Sequence, residues 1–289
     1  MNETELHEFY EEVLDRVLND ELRLPSLPDV TMRVRDAIAA ENTTSESLTE
    51  IIAKDPGLTA YLVRAASSPV YRRAIPPTTL TEVVGLLGFA ATNSLVMLHS
   101  VRSLVAFDNP VATQLFNHTW ERLVVKTSVA SFLAQQLKYR PVDQVQMAML
   151  LTEVGSLSVL SAMLEGMKGE KTGELDTNVY FKMCRQYSKQ IGCTVLTKWK
   201  IDDTIIQMLA DCGNWEKSWD DKINLLDIAN LALYNTVLLT NKNATLPDIE
   251  TLAAFSKLPE EYQAFGEPNW LSLIVDNKEE IDAIIASFK

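Results

Sequence analysis

Apolar residues return every three or four positions along most of this chain, and helix caps interrupt them. Leu6, Phe9, Val13, Leu14 and Val17 make the first stripe, and their period near 3.6 places them on one helix face. Asp55-Pro56 and Asn109-Pro110 each supply a side-chain acceptor followed by a proline, which suits the cap and first position of a helix. Thr79 and Glu82 stand at capping-box spacing, and Gly88 is placed to end the short helix they open. The segment Leu24-Pro25-Ser26-Leu27-Pro28 differs, because two prolines three apart favour an extended bridge, here with its leucines pointing inward. No segment alternates apolar and polar residues between hairpin turns, and no repeat of fixed period is found. The pattern predicts an all-α protein built from many helices.

Asn109-Pro110 is the best internal boundary. It divides an N-terminal helical subdomain, 1–109, which carries the Leu-Pro-Ser-Leu-Pro segment, from a helical subdomain at 110–289 with the C-terminal helices. In the second, helices are expected up to about Leu137, from Pro141 to about Gly155, and over Leu157 to Leu164. A polar loop follows at 166–176, then helices over 178–191, 193–200, 202–212, 220–240, 247–256 and 270–288.

Apolar residues at 47% and charged residues at 22% of 289 positions are ordinary globular values, enough for a substantial core. The net charge of −13 sets the chain against nucleic acid or anionic lipid as a partner, since phosphates reward clustered cations. Arg72 and Arg73, near Arg64, are the best basic cluster and read as a solvated face. Cys184, Cys193 and Cys212 are odd in number and form no C-x-x-C pair, as expected of reduced cytoplasmic thiols. The acidic N-terminus lacks the basic and apolar regions of a signal peptide. The longest uncharged stretch, Val83 to Val101, contains Gly85, Gly88 and Thr92-Asn93-Ser94, which suits two buried helices better than a membrane span.

Most catalytic signatures are missing: there is no G-x-S-x-G and no H-E-x-x-H. Lys168-Gly169-Glu170-Lys171-Thr172 only loosely resembles a phosphate-binding loop, because Glu170 takes the place of a glycine and no strand precedes it. The histidines are His7, His99 and His118, too scattered to build a metal centre alone. His7 is expected at the surface and His99 as a hydrogen-bonded core residue. The tryptophans at 199, 215 and 219 are expected to pack.

An ordered series of motifs remains. Leu24-Pro25-Ser26-Leu27-Pro28 is followed by Asp55-Pro56-Gly57-Leu58-Thr59-Ala60, by Leu62-Val63-Arg64-Ala65-Ala66-Ser67-Ser68 and by Leu86-Leu87-Gly88. Trp120, Leu150-Leu151-Thr152-Glu153-Val154-Gly155 and Thr197-Lys198-Trp199 come later. In this order and spacing, over roughly residues 20 to 235, they resemble the HDOD family, bacterial signalling domains related to HD-type phosphohydrolases. The resemblance implies an HD-like helical bundle. In the catalytic relatives a His, a His-Asp pair and a later Asp hold one or two metal ions, which lower the pKa of bound water and make it a nucleophile.

At the matching positions this chain carries other residues. The resemblance places the first His at Arg122, the His-Asp pair at Thr152-Glu153 and the last Asp at Asn230. The Gly-Tyr-Pro signature of the HD-GYP branch is absent; Ala210-Asp211-Cys212-Gly213-Asn214-Trp215 stands in its region. Arg122 is a permanent cation and cannot ligate a metal, Thr152 and Asn230 are weak neutral donors, and only Glu153 keeps a full ligand charge. The four form a vestigial site, in which Arg122 is expected to pair with Glu153, either as a plain interhelical ion pair or as part of a pocket reused for sensing.

The expected function is therefore that of a non-catalytic cytoplasmic signalling protein without cofactor or metal, acting by binding another protein, with a basic face on the partner to match the −13 charge. Two alternatives stay open. One is a phosphohydrolase with a displaced carboxylate set, Glu153 with Asp211 and Asp227, since carboxylates alone hold Mg2+ or Mn2+. The other is a pseudo-enzyme that binds a nucleotide without cleaving it.

Overall fold

The structure is a computed structural model that describes residues 2–19, 29–40, 42–67, 71, 76–103, 109–166, 175–241, 244–266 and 269–288. The Leu24–Pro28 segment, Arg72 and Arg73, and the Lys168–Thr172 loop lie outside the described residues. The described chain is almost wholly helical, as the apolar period predicts.

Helix α1 (Glu3–Leu18) opens at a capping box between Asn2 and Glu5 and buries Leu6, Val13 and Val17. Helices α2 (Asp29–Ala39), α3 (Ser45–Ile52) and α4 (Pro56–Ala66) follow. Asp55 caps α4, its Oδ1 accepting from Leu58 N at 2.9 Å, with Pro56 in the first turn. Helix α5 (Leu80–Ser103) breaks at Gly88, whose φ of 76° and ψ of 162° are costly for any residue with a Cβ. Thr79 Oγ1 accepts from Glu82 N at 3.2 Å, but the Glu82 carboxylate reaches back to Thr78 N, so the box closes one residue early.

Helix α6 (Pro110–Gln136) is continuous and capped by Asn109, which accepts from Val111 N and Ala112 N. The helix expected to reach Gly155 instead stops early, as α7 (Val142–Leu151). Thr152 turns its hydroxyl back onto Met149 O at 2.6 Å, and Glu153 O accepts Leu157 N, the first turn of α8 (Val154–Gly166). Glu153 thus sits at a helix junction.

Two helices expected on either side of Gly192 are one, α9 (Thr177–Lys198). The glycine serves close packing here, where the sequence had suggested a helix end. A Cβ on Gly155 of α8 would lie 1.7 Å from Ser188 O, and one on Gly192 would lie 3.6 Å from Gly155 Cα. The backbones of α8 and α9 touch at these two residues.

Helix α10 (Asp203–Asp211) precedes α11 (Leu225–Thr240), which starts later than expected because Asn224 and Asp227 form its capping box. Short turns lead through α12 (Ala253–Ser256) to a two-residue antiparallel pair, β1 (Phe265–Gly266) and β2 (Trp270–Leu271). Strands this short leave no alternation to detect, and they replace the start of the helix expected from 270. Helices α13 (Ser272–Asp276) and α14 (Lys278–Phe288) end the chain.

Helices α2, α3 and α4 pack on α5, α5 packs on α7, and α6 lies against α7 and α11. Helix α9 takes α8, α10 and α1. Lys198 Nζ donates to Val17 O and Leu18 O at 2.7 and 2.9 Å, completing the C-terminal end of α1. Arg35 Nη1 donates to Trp199 O at 2.9 Å. Leu62, Leu98, Phe132 and Leu196 belong to one hydrophobic cluster, which also joins the residues before Asn109 to those after it. Two stretches, Leu80–Ser100 and Gln144–Gly166, are long and apolar enough to cross a membrane, and 56% and 72% of their apolar windows are buried inside the protein.

Candidate functional site

A cavity of about 340 Å3 opens between α6, the α7–α8 junction and α9. Arg122 and Lys126 stand four apart on α6 and therefore share a face. Thr152, Glu153 and Ser156 come from the junction, and α9 adds residues from Tyr180 to Lys189.

Glu153 is the centre of the polar contacts. Its Oε1 lies 2.8 Å from Lys126 Nζ and 3.4 Å from Arg122 Nη2, and its Oε2 accepts from Ser156 Oγ at 3.2 Å. The Glu153 side chain is 10% exposed, that of Lys126 4% and that of Arg122 39%. Burial by itself pushes the carboxyl up, but Lys126 and Arg122 outweigh it and hold it down at about 2. Glu153 is therefore an anion at neutral pH and cannot act there as a general acid.

Arg122 does reach Glu153, yet the shorter and more buried partner is Lys126, which the family motif does not mark. Its signal in the sequence is its isolation: Lys126 is the one charged residue between Arg122 and Lys138. A lone lysine inside such a run needs a buried counter-charge.

The other residues expected at the site do different work. Thr152 lines the cavity with its hydroxyl committed to Met149 O. Asn230 is buried and does not line the cavity. Its Oδ1 accepts from Gly213 N at 2.7 Å and its Nδ2 donates to Asn214 O at 3.1 Å, so it fastens the turn after α10. Gly213 has a φ of 86°, and that turn presents Cys212 to the cavity.

This donor set does not suit a divalent cation. Two fixed positive charges stand against Glu153, the one carboxylate among the described residues that line the cavity. The displaced set does not assemble either. Asp211 accepts from Trp219 Nε1 at 2.8 Å and lies 3.8 Å from Lys217, while buried Asp227 takes Lys257 Nζ at 2.9 Å. Among the described residues no three His, Cys, Asp or Glu side chains gather in a way that could hold a metal ion.

Nor is a thiol nucleophile ready in the cavity. Burial pushes Cys184 up to about 11 and raises Cys212 as well, so both are protonated near neutrality. His118 lies on the exposed rim. His99 is remote, half-buried with its ring 5.2 Å from that of Tyr61, and burial lowers its pKa. His7 is exposed beside Glu11. Trp215 packs edge-on against Tyr234.

Solved structures share this fold. A protein of Shewanella amazonensis, named as a candidate metal-dependent phosphohydrolase, superposes with a TM-score of 0.75 at 21% identity, over 99% of this chain and 100% of that one. An HDOD domain protein of unknown function from Geobacter sulfurreducens gives 0.65 at 14% identity, over 91% of each chain. A candidate signal transduction protein of Marinobacter aquaeolei gives 0.65 at 19% identity, over 100% of this chain and 66% of its own. At these identities the likeness establishes the fold alone. No curated protein matches the chain. The HDOD domain family matches residues 24–213, about two thirds of the chain, and the chain accordingly belongs to the HDOD family.

Proposed function

We propose that this HDOD protein is a non-catalytic regulatory component of a signalling pathway, acting in the cytoplasm through contact with another protein. One observation carries the reading: Lys126 and Arg122 supply to Glu153 the positive charge that a metal ion supplies in catalytic relatives. A carboxylate already held by two cations is a poor ligand for the metal ion that would acidify water for attack on a phosphoester. The ion pair ties α6 to the α7–α8 junction. The −13 charge favours a partner with a basic face, and the neighbour named for signal transduction agrees with such a role.

The test is metal analysis of the purified protein after dialysis against Mg2+ and Mn2+, with hydrolysis assays on generic phosphoesters and cyclic dinucleotides. The expected result is substoichiometric metal and no turnover above background. Stoichiometric metal together with turnover that Glu153→Ala abolishes overturns the proposal and restores the phosphohydrolase.

A further inference from the structure

We propose that the cavity between α6 and α9 is a receptor for a phosphorylated small molecule of mononucleotide size, bound directly by cationic side chains. The inference deepens the metal-free reading of this site and rests on it. In a chain of net charge −13, Arg122, Lys126, Arg185 and Lys189 line one cavity, and Glu153 is the one carboxylate among the described residues that line it. Such a concentration of one sign in a concave, partly buried site focuses the field on an anion.

Glu153 does not consume this charge. Lys126 is its close partner, while Arg122 meets it through one nitrogen at 3.4 Å and keeps an exposed edge. Lys189 gives one of its three protons to Cys212 O. Arg185 is exposed on the cavity wall and has no ion pair or hydrogen bond among the described residues. A phosphoryl group matches the planar fork of a guanidinium, and Arg122 and Arg185 offer two such forks from facing helices.

Phe181 supplies the second half of the argument. It lines the same cavity and is 50% exposed, on a helix that otherwise buries its large apolar side chains Tyr180, Met183 and Leu196. An exposed ring beside a phosphate site offers a stacking face for a planar base. The volume of about 340 Å3 lies near the lower end of small-ligand sites, which suits one nucleotide rather than two. The cavity holds and does not cleave, because Glu153 is paired and its thiols are protonated.

Calorimetric titration of the full chain with AMP, GMP and inorganic phosphate, in EDTA, tests this. The expected result is saturable binding of a nucleotide that weakens as salt rises. Arg185→Glu, at an exposed position, is expected to weaken nucleotide and phosphate binding at least tenfold with an unchanged circular dichroism spectrum. Phe181→Ala is expected to weaken the nucleotide several-fold and leave phosphate unchanged. No saturable binding at millimolar ligand, or binding indifferent to Arg185→Glu, overturns the receptor while leaving the non-catalytic reading intact. Phosphate binding as tight as nucleotide binding overturns the assignment to nucleotides. Binding that needs Mg2+ or Mn2+ and releases phosphate overturns the metal-free reading as well.

Discussion

Replacing Lys126 by methionine separates the two cations that face Glu153. The Glu153 and Lys126 side chains are 10% and 4% exposed, so the ammonium neutralises a charge that water barely reaches. Removing one partner of a buried ion pair costs about 3–5 kcal/mol, because the survivor keeps its desolvation penalty. Arg122 at 3.4 Å and Ser156 at 3.2 Å remain to share the carboxylate, which brings the expected loss to about 3 kcal/mol. Arg122→Met should cost only about 1 kcal/mol, since that side chain is 39% exposed and its contact is longer. Urea denaturation measures both. The double variant Lys126→Met/Glu153→Gln removes both charges and should recover at least half of the loss. The same pair governs acid stability. A carboxyl held at about 2 in the fold, against an ordinary value of 4.5, contributes about 3 kcal/mol of stability, fully present above 4.5 and lost as pH falls toward 2. From pH 6 to pH 3 the wild type should therefore lose about 2 kcal/mol more than Glu153→Gln does. Equal costs for Lys126→Met and Arg122→Met, or a pH-independent difference between wild type and Glu153→Gln, would refute the reasoning.

Three further outcomes are expected. Gly155→Ala places a methyl group 1.7 Å from Ser188 O, and backbone cannot yield as a side chain can, so thermal melts should report a loss of about 3 kcal/mol or more. Asn230→Ala strands the amide of Gly213 and the carbonyl of Asn214 and should cost roughly 2 kcal/mol in urea titrations. Cys184, pushed up to about 11, should react with iodoacetamide at pH 8 on the order of a hundredfold more slowly than an unfolded-chain thiol, with mass spectrometry locating the label.

Much of the fold is legible along the chain because helix ends are local. Asp55, Asn109 and Asn224 accept amides within three residues of themselves, and such short-range chemistry repeats wherever the residue types do. The mistakes occur where a local signal serves a distant partner. Gly192 resembles a helix end, yet it lies inside α9 because Gly155 of α8 packs against it. Asn230 is expected at the site from the family resemblance, yet it bonds Gly213 and Asn214 and does not line the cavity.

The sequence by itself determined the helical class, the family motifs and which residue types stand at Arg122, Thr152 and Asn230, since residue identity needs no neighbour to be read. Only the tertiary structure decided which side chains meet. It made Lys126 the close partner of Glu153, held Asp211 and Asp227 apart in pairs of their own, and brought Arg185 and Lys189 of α9 to the cavity that Arg122 lines from α6. Electrostatic partnership depends on distance and burial, and helix packing sets both.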